Sequence, residues 1–577
     1  MAIVLGISAY FHDSSACIVV DGKVIAAACE ERFTRKKHDA AFPENAIRFC
    51  LEKAEVKSEE LDVVVFHEKP FTKFERILDT LLKKAPRSFR PFSRALDGWL
   101  REKFWIEDTF RRQFPFGGKF QYCQHHLSHA SAAAYSSGFT DAAYVIIDGV
   151  GEKACTSIGR FEEGKLHPEI EQRFPHSVGL LYSAFTQYCG FRVNSGEYKL
   201  MGLAPYGKAK YVDVIYDKIV SQADDGSIRL NLNRFGFLDD LRMINKRFAE
   251  AMGRRARKEH DEMTQFYKDV AASIQKVTED LVIGVLFAAH QKTKKSTLVY
   301  GGGVALNCVI NAEILKKSPF DELYIHSASG DSGCAYGAAL WAAGQLKEVI
   351  NGEQQDEFIG QGFDDETILA ALQSNKLAFN LKDENELVDK VAGYLVSGNV
   401  VGWYQGRLEF GPRALGNRSI LANPAIADMK RTLNLKIKKR EGFRPFAPVV
   451  LDNYFNDYFI DEGNDYSRML NVTRVKADVK NIPACVHEDN SARVQRLEKG
   501  FNPKLYALME SFHTKSGIPV LINTSFNERG EPMVNTPEDA IHCFLNTEMD
   551  VLVMSNFIVT KKENPNVKFE ARSYALD

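Results

Sequence analysis

The sequence predicts an α/β protein of two parts, the first of them internally duplicated. Three observations predict this: the length of the chain, a strand-and-hairpin layout that occurs twice, and a change of texture near residue 350. At 577 residues the chain is too long for a single hydrophobic core. Apolar residues at 45% and charged residues at 26% place it among ordinary globular proteins. A net charge of −2 gives no electrostatic case for nucleic acid as partner. No apolar run is long enough to span a membrane, so none is expected as partner. The opening Ala2 to Ile7 lacks a basic start and soon meets His12 and Asp13, so it reads as a first strand rather than a signal peptide. Ten cysteines without a Cys-x-x-Cys pair suggest buried thiols in a reducing, cytoplasmic setting.

The first forty residues read as a meander. Ile3 to Ser8, Ser15 to Val20 and Lys23 to Cys29 are strand-like, with Asp21-Gly22 as the hairpin turn. The layout returns as Ala142 to Asp148, a turn with Gly149 and Gly151, Thr156 to Phe161, then Glu163-Gly164. Such a repeat suggests a duplicated fold that binds a ligand between its halves. Thr264 to Gln291 places Ala271, Ile274, Val277, Leu281, Val285 and Leu286 on one helical face. Strand Thr297 to Tyr300 then runs into Gly301-Gly302-Gly303 and a helix from Asn307. Strand Glu322 to His326 runs through Ser329-Gly330-Asp331 into a helix from Gly333 to Leu346. Strands handing over to helices through Gly-rich loops imply a parallel sheet with binding loops at its carboxyl edge. The polar stretch Lys347 to Glu357 is the expected linker, dividing residues 1–350 from 351–577.

His125 and His129 lie four apart on an expected helix, so they project from one face and can share one cation. Asp148, ending an apolar strand just before glycine, and Asp331, in the Gly-rich loop before a helix, are the expected carboxylate ligands. Mixed His and carboxylate ligation suits iron, zinc or manganese. Gly301, Gly302 and Gly303, and opposite them Gly149 and Gly151, are expected to bring backbone N–H groups close to a nucleotide's phosphates. Arg407, Arg413 and Arg418, set among Gly, Pro and Asn, point to an anionic ligand in the C-terminal half. Lys436 to Arg440, Arg444 and Arg493 extend that reading. Asn523 and Ser525 follow a buried strand and add polar donors.

These segments closely resemble the O-carbamoyltransferases of nodulation-factor and antibiotic biosynthesis. The marks are Glu30-Glu-Arg-Phe-Thr-Arg-Lys-Lys-His38, His125-His-Leu-Ser-His129, Lys199-Leu-Met-Gly-Leu-Ala-Pro-Tyr-Gly207 and Gly301-Gly-Gly-Val-Ala-Leu-Asn-Cys308. Gly411-Pro-Arg-Ala-Leu-Gly416, Arg444-Pro-Phe-Ala-Pro448 and Asn523-Thr-Ser-Phe-Asn527 complete them. The resemblance implies an actin-like N-terminal domain, similar to threonylcarbamoyl transferases, and a YrdC-like C-terminal domain. It implies that the C-terminal domain makes carbamoyl adenylate from carbamoyl phosphate and ATP. The N-terminal domain would then pass the carbamoyl group to a hydroxyl of a small acceptor such as an antibiotic, toxin or glycoside. By position, His125, His129, Asp148 and Asp331 become metal ligands, with Fe(2+) the expectation. Arg413, Arg444, Arg493, Asn523 and Ser525 become the carbamoyl phosphate and ATP site, with Asn307 in a nucleotide-binding segment. His12 and Lys37 are expected beside the acceptor hydroxyl, His12 as a base of near-neutral pKa. Two alternatives stay open: an actin-fold small-molecule kinase, and a fused threonylcarbamoyl-type enzyme acting on tRNA.

Overall fold

The computed structural model of the protein describes residues 2–346, 357–440, 442, 444–565 and 567. The expected linker, Glu357 apart, and the expected boundary at 350 lie outside the described residues. The chain forms two compact units, one of residues 1–30 and 40–355, the other of residues 31–39 and 356–577.

The first unit contains two sheets of the same design. Strands β1 (Ile3–Ser8), β2 (Ser15–Val20), β3 (Lys23–Cys29), β4 (Val63–Phe66) and β5 (Lys119–Tyr122) pair in the order β3-β2-β1-β4-β5. Next come β6 (Asp141–Ile147), β7 (Ala154–Glu162), β8 (Lys165–Arg173) and a small ribbon of β9 (Val220–Gln222) with β10 (Ile228–Leu230). With β11 (Thr297–Gly301) and β12 (Glu322–Ile325), the second sheet is ordered β8-β7-β6-β11-β12. In both sheets the hairpin pairs are antiparallel and the last two pairings parallel. Both hairpins turn through consecutive residues at positive φ, Asp21 with Gly22 and Glu163 with Gly164, as a tight two-residue turn requires. This repeated order is the expected duplicated α/β fold. Strand β1 is buried throughout, which explains its near-continuous apolar sequence.

Helices His125–Ser136 and Cys334–Gln345 cross between the sheets. Their small residues allow the approach: a Cβ placed on Gly337 would stand 1.8 Å from the Ser128 carbonyl oxygen. Helix Gln265–Thr293 buries the face read from its periodicity, Ala271 through Leu286. Among the described residues no helix is long and apolar enough to cross a membrane.

Among the described residues the second unit is an α/β module with one mixed sheet of eight strands, beside a ribbon of Val472–Arg474 with Ser491–Arg493. The order in the sheet is Asn380–Leu381, Phe557–Thr560, Val551–Met554, Val401–Tyr404, Arg418–Ala422, Val520–Ser525, Ala447–Leu451 and Gln495–Leu497. Both faces are covered, so alternate residues feed two cores. Trp403, Leu421 and Leu521 join Leu387 and Leu508 on one side. Tyr404, Ile420 and Ile522 join Ile368 and Ile541 on the other.

Residues 31–39 depart from the expected first meander and belong to this second unit. Arg35 is the anchor: it donates to the carbonyls of Pro532 and Met533 and pairs with Glu531 at 2.9 Å and Asp539 at 3.3 Å. Lys37 therefore travels with the second unit, whereas His12 lies in the first.

Candidate functional site

In the first unit the four expected ligands converge. His125 and His129 occupy the start of their helix, and their Nε2 atoms stand 3.2 Å apart. Asp148 follows β6, and its Oδ2 lies 3.0 Å from His125 Nε2 and 3.7 Å from His129 Nε2. Asp331 follows β12, with Oδ1 at 3.7 and 3.6 Å from the same two nitrogens. A metal with bonds of about 2.1 Å holds neighbouring donors about 3.0 Å apart in an octahedron and about 3.4 Å apart in a tetrahedron. The 3.0 and 3.2 Å spacings fall in that range, and those at 3.6 and 3.7 Å lie a little beyond it, so a common centre needs small side-chain shifts. Two ring nitrogens that face each other and two carboxylates form a donor set able to hold a cation.

Much of the glycine-rich loop serves this cluster rather than an open cradle. Gly302, at φ +89°, donates its N–H to the Ser329 carbonyl, and Gly303 donates to Asp148 Oδ1 at 3.2 Å. Gly301 is the last residue of β11, in register with Ile146. A Cβ on Gly302 would press to 2.3 Å from the Ile147 carbonyl oxygen, and one on Gly303 to 2.9 Å from Asp148 Oδ1. Gly151 leaves room for His125 in the same way, whereas a Cβ on Gly149 would meet only Leu180. Ser177 Oγ donates to the carbonyl oxygens of Asp148 and Gly149. Asn307 caps the helix Cys308–Lys317, accepting from Val309 and Ile310 N–H, and exchanges amide bonds with Gln275.

His12 joins the cluster through Nε2, 3.5 Å from Asp331 Oδ2, while Nδ1 meets Asp13 Oδ2 at 3.1 Å. The expectation of a near-neutral pKa does not hold. Burial alone would lower it, but Asp331, Asp13 and Asp148 outweigh burial and raise it to about 9. His129 is likewise held well above the ordinary range: burial opposes the charge, and Cys334, Asp148 and Asp331 favour it.

Three neighbours were not anticipated. Cys334 Sγ lies 3.4 Å from His129 Nε2. Behind His125 sit His67 and the buried ion pair of Glu68 with Lys73. Burial raises the Glu68 carboxyl, yet Lys73 and then His67 bring it down to about 2. Burial drives His67 down to about 3, so this imidazole is neutral. Only the position of Cys334, three residues after Asp331 at a helix start, could have signalled its place from the sequence.

In the second unit, strand Val520–Ser525 runs between Arg418–Ala422 and Ala447–Leu451 and carries Asn523 and Ser525. Asn523 donates to Gln495 Oε1 at 2.7 Å and to the Ala414 carbonyl at 3.2 Å, and Gln495 donates to the Leu415 carbonyl. The backbone beside Arg413 is thus tied to the strand that follows Arg493. Ser525 meets the ammonium of Lys438, which also reaches Asn527 Oδ1 at 2.7 Å. Burial lowers the Lys438 pKa well below the ordinary lysine range, and Arg440 and Arg444 add to the effect. Of the arginines expected to meet an anion, two do other work. Arg407 donates to the carbonyls of Gly360 and Ile359. Arg418 is fully buried, stacked 3.6 Å from the Tyr404 ring centroid and bonded to the carbonyls of Gln405, Asn417, Gln361 and Gly406. Arg413, Arg444 and Arg493 are only partly buried.

The first unit is thus a duplicated fold with a His and carboxylate cluster beyond its strand ends, and the second is a separate α/β module. Residues 3–340 match the carbamoyltransferase N-terminus and residues 392–561 the carbamoyltransferase C-terminus, and the chain belongs to this carbamoyltransferase family. It is 44% identical to the Synechocystis sp. protein sll1178, across 98% of each chain. It is 34% identical to nodulation protein NolNO of Sinorhizobium fredii, over 96% of this chain and 79% of that one. It is 33% identical to 3'-hydroxymethylcephem-O-carbamoyltransferase of Amycolatopsis lactamdurans, over 44% of this chain and 47% of that one. Among solved structures, component A of (R)-2-hydroxyglutaryl-CoA dehydratase from Acidaminococcus fermentans aligns with TM-score 0.34 at 14% identity, covering 60% of this chain and all of that one. HypF in its phosphate- and nucleotide-bound form aligns with TM-score 0.30 at 12% identity, over 60% of this chain and 56% of that one.

Proposed function

We propose that the protein is an ATP-dependent O-carbamoyltransferase that works in two half-reactions. In the second unit, carbamoyl phosphate and ATP give carbamoyl adenylate, with phosphate and pyrophosphate released and water making up the balance. Arg413, Arg444 and Arg493 grip the phosphates, and Asn523 and Ser525 orient the carbamoyl end. In the first unit an acceptor hydroxyl attacks the carbamoyl carbon, the bond to the adenylate oxygen breaks, and AMP leaves. His12 is assigned to take the hydroxyl proton; a divalent ion on Asp148 and Asp331 would offset the carboxylate charge that otherwise raises its pKa to about 9, and so free the imidazole to act as base. His125, His129, Asp148 and Asp331 hold a divalent ion, Fe(2+) by expectation, which would supply Lewis-acid polarisation when bound. Gly149 and Gly151 keep the cluster's floor low enough for a nucleotide to approach.

The observation that carries this reading is the four-donor cluster in a chain of this family. The acceptor is proposed as a small hydroxylated compound, because the cephem and nodulation relatives point that way. The test is to incubate the protein with ATP and carbamoyl phosphate. AMP and pyrophosphate are expected; ADP as sole nucleotide product refutes the reading in favour of a kinase. Arg493→Ala is expected to abolish carbamoyl-phosphate-dependent pyrophosphate release. His129→Ala is expected to spare that release while blocking transfer to hydroxylated acceptors such as aminoglycosides or chitooligosaccharides. Equal failure of both steps in His129→Ala refutes the division of labour.

A further inference from the structure

We propose that Cys334 supplies a thiolate to the same metal centre, making it a mixed nitrogen, oxygen and sulfur site. The inference rests on the proposed metal site and goes beyond its four expected ligands. His125, His129, Asp331 and Cys334 each place a donor atom within 4.8 Å of the other three, and all four residues are buried. The sulfur lies 3.4 Å from His129 Nε2, the nitrogen that faces His125 and both carboxylates, and 3.8 Å from Nδ1. The sulfur lies alongside the imidazole, nearer to the nitrogen that faces the other donors.

A buried cysteine is ordinarily a small hydrophobe. All ten cysteines here are buried, but among the described residues Cys334 is the one that stands in a candidate metal-binding group. Its backbone position is also fixed. Cys334 opens the twelve-residue helix Cys334–Gln345; burial raises its thiol and the neighbouring His129 opposes that rise, so a thiolate there would be drawn out by a bound metal. One turn on, Gly337 is wedged against the Ser128 carbonyl of the histidine helix, and Gly6 of β1 is wedged against the Ala335 carbonyl. The sulfur is thus held from two sides at a set distance from His129. Metal binding would displace the thiol proton to solvent and form one metal–sulfur bond. A thiolate beside imidazoles and carboxylates selects borderline ions such as Fe(2+), Co(2+) or Zn(2+) over Mg(2+) or Mn(2+). It also exposes the centre to loss by oxidation of that sulfur.

The full chain, stripped with chelator and titrated with Co(2+), tests this. One equivalent is expected to bind and to produce a near-ultraviolet sulfur-to-cobalt charge-transfer band. Cys334→Ser is expected to keep one equivalent of cobalt and lose the band. X-ray absorption of the zinc-loaded wild-type chain is expected to show one sulfur at about 2.3 Å among nitrogen and oxygen scatterers, and this decides the matter if the variant does not fold. Cobalt bound without the band, a band that persists in Cys334→Ser, or zinc without a sulfur scatterer overturns the inference alone. Failure to bind cobalt overturns the metal site and the inference with it.

Discussion

Gly337→Ala tests whether the contact between the two central helices positions the metal cluster. The added Cβ would stand 1.8 Å from Ser128 O and 2.8 Å from Ala132 N, whereas ordinary contact begins at 3.4 Å. The helices must therefore part by about 1.6 Å, since both near atoms are backbone and neither can rotate away. Overpacking of this kind costs about 1–3 kcal/mol. The functional cost is larger. His125 and His129 sit on one helix while Asp331 precedes the other, and their donors lie 3.6–3.7 Å apart. Such constellations tolerate about 0.5 Å. The variant is expected to unfold at lower denaturant concentration and to lose carbamoyl transfer, while pyrophosphate release in the second unit continues. Gly393→Ala is the control: it lies in helix Glu384–Val396, its Cβ meets nothing within 4 Å, and it should gain about 0.5–1 kcal/mol. A Gly337→Ala chain with the wild-type denaturation midpoint and wild-type transfer would refute the reasoning.

Two further perturbations separate structural charges from functional ones. Glu68→Gln leaves Lys73 buried without its partner, at a cost of about 3 kcal/mol near neutral pH. Glu68 is held at about 2 against an ordinary 4.5, so its stabilisation is complete above 4.5 and is lost as pH falls toward 2. The stability gap between wild type and variant, followed by chemical denaturation, should narrow across that window; a gap constant with pH refutes the pairing. Arg418→Lys gives up the Tyr404 stack and the planar fork to four carbonyls, and should cost about 3 kcal/mol. Wild-type stability with abolished pyrophosphate release would instead make Arg418 a phosphate ligand.

Local pattern made much of the molecule legible. The hairpins were readable because Asp-Gly and Glu-Gly turns carry their own backbone geometry. The long helix was readable because its apolar face repeats at helical spacing. Asp148 stood out because a strand that ends at a Gly-containing turn delivers its last side chain to a sheet edge, and Asp331 because it lies in the Gly-containing loop between a strand and a helix. The arginines were harder. Arg407, Arg413 and Arg418 look alike among Gly and Pro, and only the surroundings show that Arg407 and Arg418 spend their guanidinium groups on backbone carbonyls. Lys438 sits in a run of basic residues that looks solvated, yet the fold buries its amine beside Ser525.

The sequence by itself determined the strands, the duplication and the spacing of His125 and His129, since these depend on neighbours a few residues away. Tertiary structure alone decided three things. Residues 31–39, and Lys37 with them, join the second unit because Arg35 finds its carboxylates near residue 531. His12 is raised to about 9 because Asp331 arrives from more than three hundred residues downstream. Cys334 reaches His129 because two helices built of small residues can cross closely. Each depends on contacts between residues far apart in the chain, which no local pattern of side chains encodes.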